Sequence, residues 1–189
     1  MINILTLTES FSQLPSPPIS PNNHHNIFKS KNVECSDKQP IENSTMNKFM
    51  DVINNGIQIN DEMTPYPYII KKLHSLGNHF INKKTADAIQ LRVYEIGKEN
   101  YKDFWVHPLY LSLQSYQFFK LFEEIKNDKE EDTIIEIEIP SLNTFPVILY
   151  WIYTGNLNKL LEIAKLDEFL CEGIIKNIQT LDIIQMEFE

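Results

Sequence analysis

Glycine is scarce in this chain, with five residues among 189 and no two of them close together. That excludes a glycine-rich phosphate loop, which needs clustered glycines to bring backbone N–H groups onto an anion. Cysteine is scarcer. Cys35 and Cys171 lie far apart in regions of different composition, so no structural disulfide and no zinc-spaced pair is expected. Cys171 reads as a small core hydrophobe in a reducing compartment. Long apolar runs are missing too, and none approaches the roughly 18 residues that span a bilayer. The first eight residues lack a basic leader region and a clear cleavage site, so no secretory signal is expected. Positive charge is in short supply: 17 Lys and Arg against 26 Asp and Glu give a net charge of -9. A nucleic-acid binder normally shows a basic face, so that class is set aside. These absences describe a soluble intracellular protein of cytoplasm or nucleus, bound to neither membrane nor nucleic acid.

What is present is a 42% hydrophobic composition, enough for a folded core, in a length that suits one domain plus tails. Residues 1–60 are expected to form a disordered N-terminal arm and 61–189 the domain. Pro15, Pro17, Pro18, Pro21 and Pro40 sit among Ser, Asn and Gln, with few apolar anchors after Phe11. Ser16-Pro17 and Ser20-Pro21 have the form of proline-directed phosphorylation sites, a form common in any such tail. His24 and His25 have no Cys or carboxylate frame to make them a metal site. Met46 to Ile57 suggests a short helix around Phe49, Met50 and Ile53.

Pro65 and Pro67 mark the entry to a helix from about Tyr68 to Leu76, ending near Gly77. Ile69, Ile70, Leu73 and Leu76 share one side of it, and Lys71 and Lys72 the other. Ala86 to Tyr94 alternates as a strand, Gly97 to Asp103 reads as a turn, and Phe104 to Val106 as the returning strand. From His107 to Phe122, the residues Leu111, Ser115, Phe118, Leu121 and Phe122 recur at helical spacing on one face. The acidic stretch Glu123 to Asp132 reads as a loop. Thr133 to Ile139 alternates as a half-buried strand and closes on Pro140. Phe145 to Tyr153 is apolar on all sides and stops at Gly155, which demands burial all round. Leu160, Leu161, Ile163, Ala164 and Leu166 mark another amphipathic helix. Phe169, Leu170, Ile174, Ile175 and Ile178 mark a last one, with Gly173 as a boundary or kink.

Catalytic constellations are few. His107 with Ser112 or Ser115 has the residue types of a base and nucleophile, but no nucleophile elbow surrounds either serine. Glu136 and Glu138 share one strand face, and their alternation with isoleucine fits a solvent face better than a carboxylate pair. No enzyme, cofactor or metal is expected.

The succession of helix, acidic loop, strand and buried helix ending in Tyr153-Thr154-Gly155 resembles the BTB/POZ family. The family's His-centred helix motif falls on His107, Leu111, Ser115, Phe118, Leu121 and Phe122. Its aromatic helix falls on Phe145, Trp151, Tyr153, Thr154 and Gly155, and its opening strand on Ala86-Asp87-Ala88. Two departures stand out: Pro108 replaces the basic residue that usually follows the histidine, and Ser112 replaces an alanine. The loss of that basic partner for Asp87 weakens a transcription-repressor reading.

The resemblance implies an α+β fold, a small β-sheet flanked by a cluster of α-helices, and work by protein–protein association. It implies a homodimer whose interface is the helix before the first strand, with Ile69, Ile70, Leu73 and Leu76. The same stripe equally fits packing within its own domain. In family members that recruit cullin scaffolds, a hydrophobic-x-Glu triplet closes the helix. Leu121, Phe122 and Glu123 fit that triplet, beside the plainer reading of two core residues and a surface acid. The implied partners are a second copy, a cullin scaffold and an unidentified substrate protein. The alternative is a structural oligomerisation scaffold with no ubiquitin ligase link.

Overall fold

The computed structural model describes residues 39–125 and 134–184, with 39–43 described for backbone alone. The Ser-Pro dipeptides, His24 and His25, Cys35 and most of the acidic loop lie outside the described residues. The chain divides into two compact units, Met1–Tyr66 and Pro67–Glu189.

In the first unit, helix α1 (Gln39–Asn55) precedes a hairpin of β1 (Ile57–Ile59) and β2 (Glu62–Thr64). Ordered elements thus begin inside the segment expected as an arm, and the helix anticipated from Met46 starts seven residues earlier. Pro40 falls in its first turn, where a missing N–H costs nothing. Gly56 ends α1 at φ 83°, and a Cβ there would lie 2.1 Å from the Thr64 carbonyl oxygen. The turn uses Asn60 and Asp61, both at positive φ, which matches the right-handed twist of a two-residue hairpin.

The second unit is built on a sheet. Among its described residues, β3 (Ile89–Glu95) lies between β4 (Tyr101–Val106) and β5 (Ile135–Ile139). β3 and β4 form an antiparallel hairpin with Ile89 opposite Val106, and β3 runs parallel to β5 with Leu91 opposite Ile135. The parallel pair needs a crossover, supplied by α3 (Pro108–Ser112) and α4 (Tyr116–Ile125). Alternation works as the sequence suggested: Leu91 and Val93 are fully buried, while Arg92 on the other face reaches Asp103 through two bonds of 2.8 and 3.1 Å. Asp87, however, lies in a turn before the strand rather than within it.

The remaining helices are α2 (Tyr66–Phe80), which leads into the unit, then α5 (Phe145–Thr154), α6 (Leu157–Ala164) and α7 (Glu168–Thr180). α2 does not end near Gly77. That glycine lies inside the helix because a Cβ there would sit 1.8 Å from the Tyr153 carbonyl oxygen, so its role is close approach. The stretch from His107 to Phe122 is two helices rather than one. Ser115 breaks it, accepting the Phe118 N–H at 3.2 Å as a helix cap and donating to the Leu181 carbonyl. α5 buries Phe145, Ile148, Leu149, Ile152 and Tyr153, while Tyr150 and Trp151 stay half-buried, so it is enclosed on most sides rather than all. It ends on Gly155 at φ 65°, a left-handed cap that L side chains seldom adopt. Phe104 meets Phe145 edge-on at 5.1 Å, joining sheet to helix.

α7 is anchored by a polar contact. Asn177 is fully buried, donates to the Ser141 carbonyl at 2.7 Å and to Thr144 Oγ1 at 2.9 Å, and accepts from the Ser141 N–H at 3.1 Å. Gly173 lies within α7, where a Cβ would meet Ser141 Oγ at 2.7 Å. It is neither a boundary nor a kink but a point of close packing.

Candidate functional site

His107 is 1% exposed and stands where β4 delivers the chain into α3. Tyr153 Oη lies 2.8 Å from its backbone N and 2.8 Å from its Nδ1, and Thr85 Oγ1 lies 2.8 Å from its Nε2. Thr85 in turn donates to Asp87 Oδ1 at 2.6 Å. One direction satisfies all of these. The backbone N–H donates to Tyr153 Oη, whose own proton goes to Nδ1, so the ring carries its proton on Nε2 and donates to Thr85. Burial holds the imidazole below its ordinary pKa, with Asp87 opposing that shift, and pushes the Tyr153 phenol well above its ordinary range. Both ring nitrogens and Ser115 Oγ are engaged with partners that are not each other, so these residues make no nucleophile–base pair.

The other motif residues line the same interior. Leu111, Ser115, Phe118 and Tyr153 are each no more than 1% exposed, and Tyr110 stacks on Tyr153 at 4.3 Å. Gln114 joins three elements: its amide donates to the Tyr110 and Ile152 carbonyls at 3.0 and 2.8 Å, and its oxygen lies 2.9 Å from His74 Nε2. Sequence reasoning passed over both Gln114 and Asn177, since a polar residue in an amphipathic pattern reads as solvent-facing unless its partners are known.

The stripe on α2 expected at a dimer interface is for the most part packed within the single chain. Ile69, Ile70 and Leu73 are buried within the single chain, and Leu76 is half-buried. The physical reason is that α2 lies against the aromatic centre: the Tyr110 hydroxyl donates to the Leu73 carbonyl at 3.0 Å, and Gly77 rests on the Tyr153 backbone. Three of the four residues are therefore already covered.

The expected cullin triplet divides similarly. Phe122 is 6% exposed and stacks on Phe118 with ring centres 5.9 Å apart, so it belongs to the core. Leu121 and Glu123 are half-exposed. Leu121 lines an open groove of about 280 Å³ with Gln117, Lys120, Glu124, Ile137 and Glu138. The groove runs between α4, β5 and the end of α7, and its walls carry apolar surface framed by charges of both signs.

The last two helices expose apolar side chains that periodicity placed inside. Leu160 and Ile174 are buried, but Leu161, Leu166, Phe169 and Ile175 are 45%, 77%, 82% and 49% exposed. No helix among the described residues is long and apolar enough to cross a membrane.

A comparison with curated proteins finds no match. The sequence model of the BTB/POZ domain matches residues 76–181, more than half of the chain, from the end of α2 to just past α7. With the His107–Tyr153 centre and the helix-flanked sheet inside that span, the chain belongs to the BTB/POZ domain family, and its folded domain is a protein–protein interaction module.

Proposed function

We propose that this chain is an adaptor or accessory subunit of a cullin-based ubiquitin ligase and works as a homodimer through its BTB/POZ domain. The observation that carries the cullin reading is the end of α4. Leu121 and Glu123 are accessible there beside a groove, while Phe122 is locked into the core and fixes the orientation of both. A pre-organised apolar and acidic pair on a rigid helix suits a protein partner, because little side-chain freedom is lost on docking. The test is binding of the purified chain to a cullin N-terminal domain. Leu121→Asp and Glu123→Lys should each weaken it, and unchanged binding by both folded variants would sink the idea.

The second reading, an oligomerisation scaffold with no ligase link, is favoured by the apolar residues left uncovered on α6 and α7. It predicts assemblies that ignore cullin.

A further inference from the structure

The side of α2 that turns away from the core carries charge of one sign. Between Glu62 and Asp87 the chain has no acidic residue, yet the stretch holds Lys71, Lys72, Lys83 and Lys84 in a protein of net charge -9. Ile70, Leu73 and Gly77 of α2 are buried, and the opposite side of the helix presents Tyr68, Lys71, Lys72, Ser75 and His79, all exposed. Elsewhere the fold neutralises its cations locally. Arg92, Lys98, Lys159 and Lys176 meet carboxylates at 2.8, 2.5, 3.1 and 2.7 Å. Lys84 lies over the Trp105 ring, 4.7 Å from its centre. Among the described residues, Lys71 and Lys72 form no ion pair. Cations near a helix C-terminus answer its dipole, which accounts for His79 in the last turn. That effect fades within one turn and does not account for Lys71 and Lys72.

The chemistry of this face selects its occupant. Its ammonium groups donate hydrogen bonds and cannot accept them, and a carboxylate only accepts. Lys71, Ser75 and His79 stand at four-residue steps, about 6 Å apart along the axis at about 1.5 Å per residue. Alternate residues of an extended chain are about 6.6 Å apart, so a strand-like segment laid along α2 brings every second side chain over this row. Ser75 is short, and its hydroxyl is turned onto the Lys72 carbonyl at 2.6 Å, which leaves room beside the longer lysines. Single-stranded nucleic acid is the poorer fit, because it uses successive aromatic platforms and this row of lysine, serine and histidine supplies none. An anionic bilayer is poorer too. The apolar side of α2 is held in the core, with the Leu73 carbonyl bonded to the Tyr110 hydroxyl at 3.0 Å, and cannot enter lipid.

We propose that this face of α2 docks an extended acidic segment of a partner protein, with carboxylates at alternate positions held by Lys71 and Lys72 and the segment running on past Ser75 to His79. Exposed ion pairs are individually weak, so the contact is of modest affinity and sensitive to salt. It uses none of the residues of the α4 groove and stands or falls independently of cullin binding.

The experiment is fluorescence anisotropy of the full chain at low ionic strength, with far-UV circular dichroism as the control for folding. The probe is a labelled peptide of alternating Glu and Ser, beside one with Lys in place of Glu. Wild type is expected to bind the acidic peptide alone, and more weakly as salt rises. The Lys71→Glu, Lys72→Glu double variant, at positions too exposed to disturb the core, should raise the dissociation constant by about tenfold or more. Lys159→Glu, an equally exposed lysine on α6, should change it by less than about twofold. Wild type that binds neither peptide or both alike, or a folded double variant that binds as wild type does, would overturn the site. Tighter binding of an oligouridylate or of phosphatidylserine vesicles than of the acidic peptide would overturn the choice of partner.

Discussion

The Tyr153 hydroxyl serves His107 twice, accepting its backbone N–H and donating to its Nδ1, each at 2.8 Å. One phenol thereby ties the end of β4 to the end of α5 and fixes the tautomer that lets Nε2 reach Thr85 and, through it, Asp87. Tyr153→Phe keeps the ring stacked on Tyr110 but orphans a buried N–H and a buried ring nitrogen. It should cost about 1–3 kcal/mol per unsatisfied group, measured by urea unfolding.

The same site gives stability a pH dependence. Burial lowers the folded-state pKa of His107, and the titratable groups facing it are Asp87, Tyr110 and Tyr153. Above the usual histidine value of about 6.5 the ring is neutral folded and unfolded, and its contribution is complete. As pH falls below that value the unfolded chain takes up a proton that the folded chain resists. Stability then declines, by at most about 1.4 kcal/mol per pH unit, until the folded pKa is passed. His107→Gln should remove this slope, so the wild-type-minus-variant difference against pH is the quantity to follow. A difference that stays flat between pH 7 and 5 contradicts the assignment.

Gly77 and Gly97 should both lose stability on substitution by alanine, Gly77 the more. Gly77→Ala places a Cβ against the Tyr153 carbonyl and should destabilise by about 1–3 kcal/mol or more, since backbone on both sides has to shift. Gly97→Ala meets open space and bears only the strain of φ 75°, about 1–2 kcal/mol. Thermal melts of the two variants would rank them, and a Gly77→Ala protein as stable as wild type would refute the close approach.

Asn177→Ala should cost about 2–3 kcal/mol, because it strips partners from the Ser141 N–H and carbonyl at once. The loss should appear in hydrogen exchange as earlier opening of α7 than of the sheet.

Much of this architecture was legible beforehand, because periodicity reports burial wherever an element has one wet face. β3, β5 and the aromatic helix α5 followed from alternation and an unbroken apolar run. The failures have local causes. Ser115 has the right spacing for a continuous helix, yet its hydroxyl caps a new one and binds Leu181, a partner 66 residues away. Gly77 looks like a stop signal until Tyr153 is known to lie against it. Pro40 looks like disorder but tolerates a helix's first turn. In the candidate sites the limit is sharper: the stripes at Ile69–Leu73 and at Leu161–Phe169 are equally apolar, and only the tertiary fold decides that the first is covered and the second left open.

The proposed docking of a cullin on the end of α4 is tested most directly by titrating the full chain against a cullin N-terminal domain, with Glu123→Lys beside wild type. Saturable binding by wild type is expected, with a dissociation constant raised about tenfold or more in the variant, as for reversing a charge within a protein contact. A well-folded wild type that does not bind, or a Glu123→Lys protein that binds equally well, would contradict it.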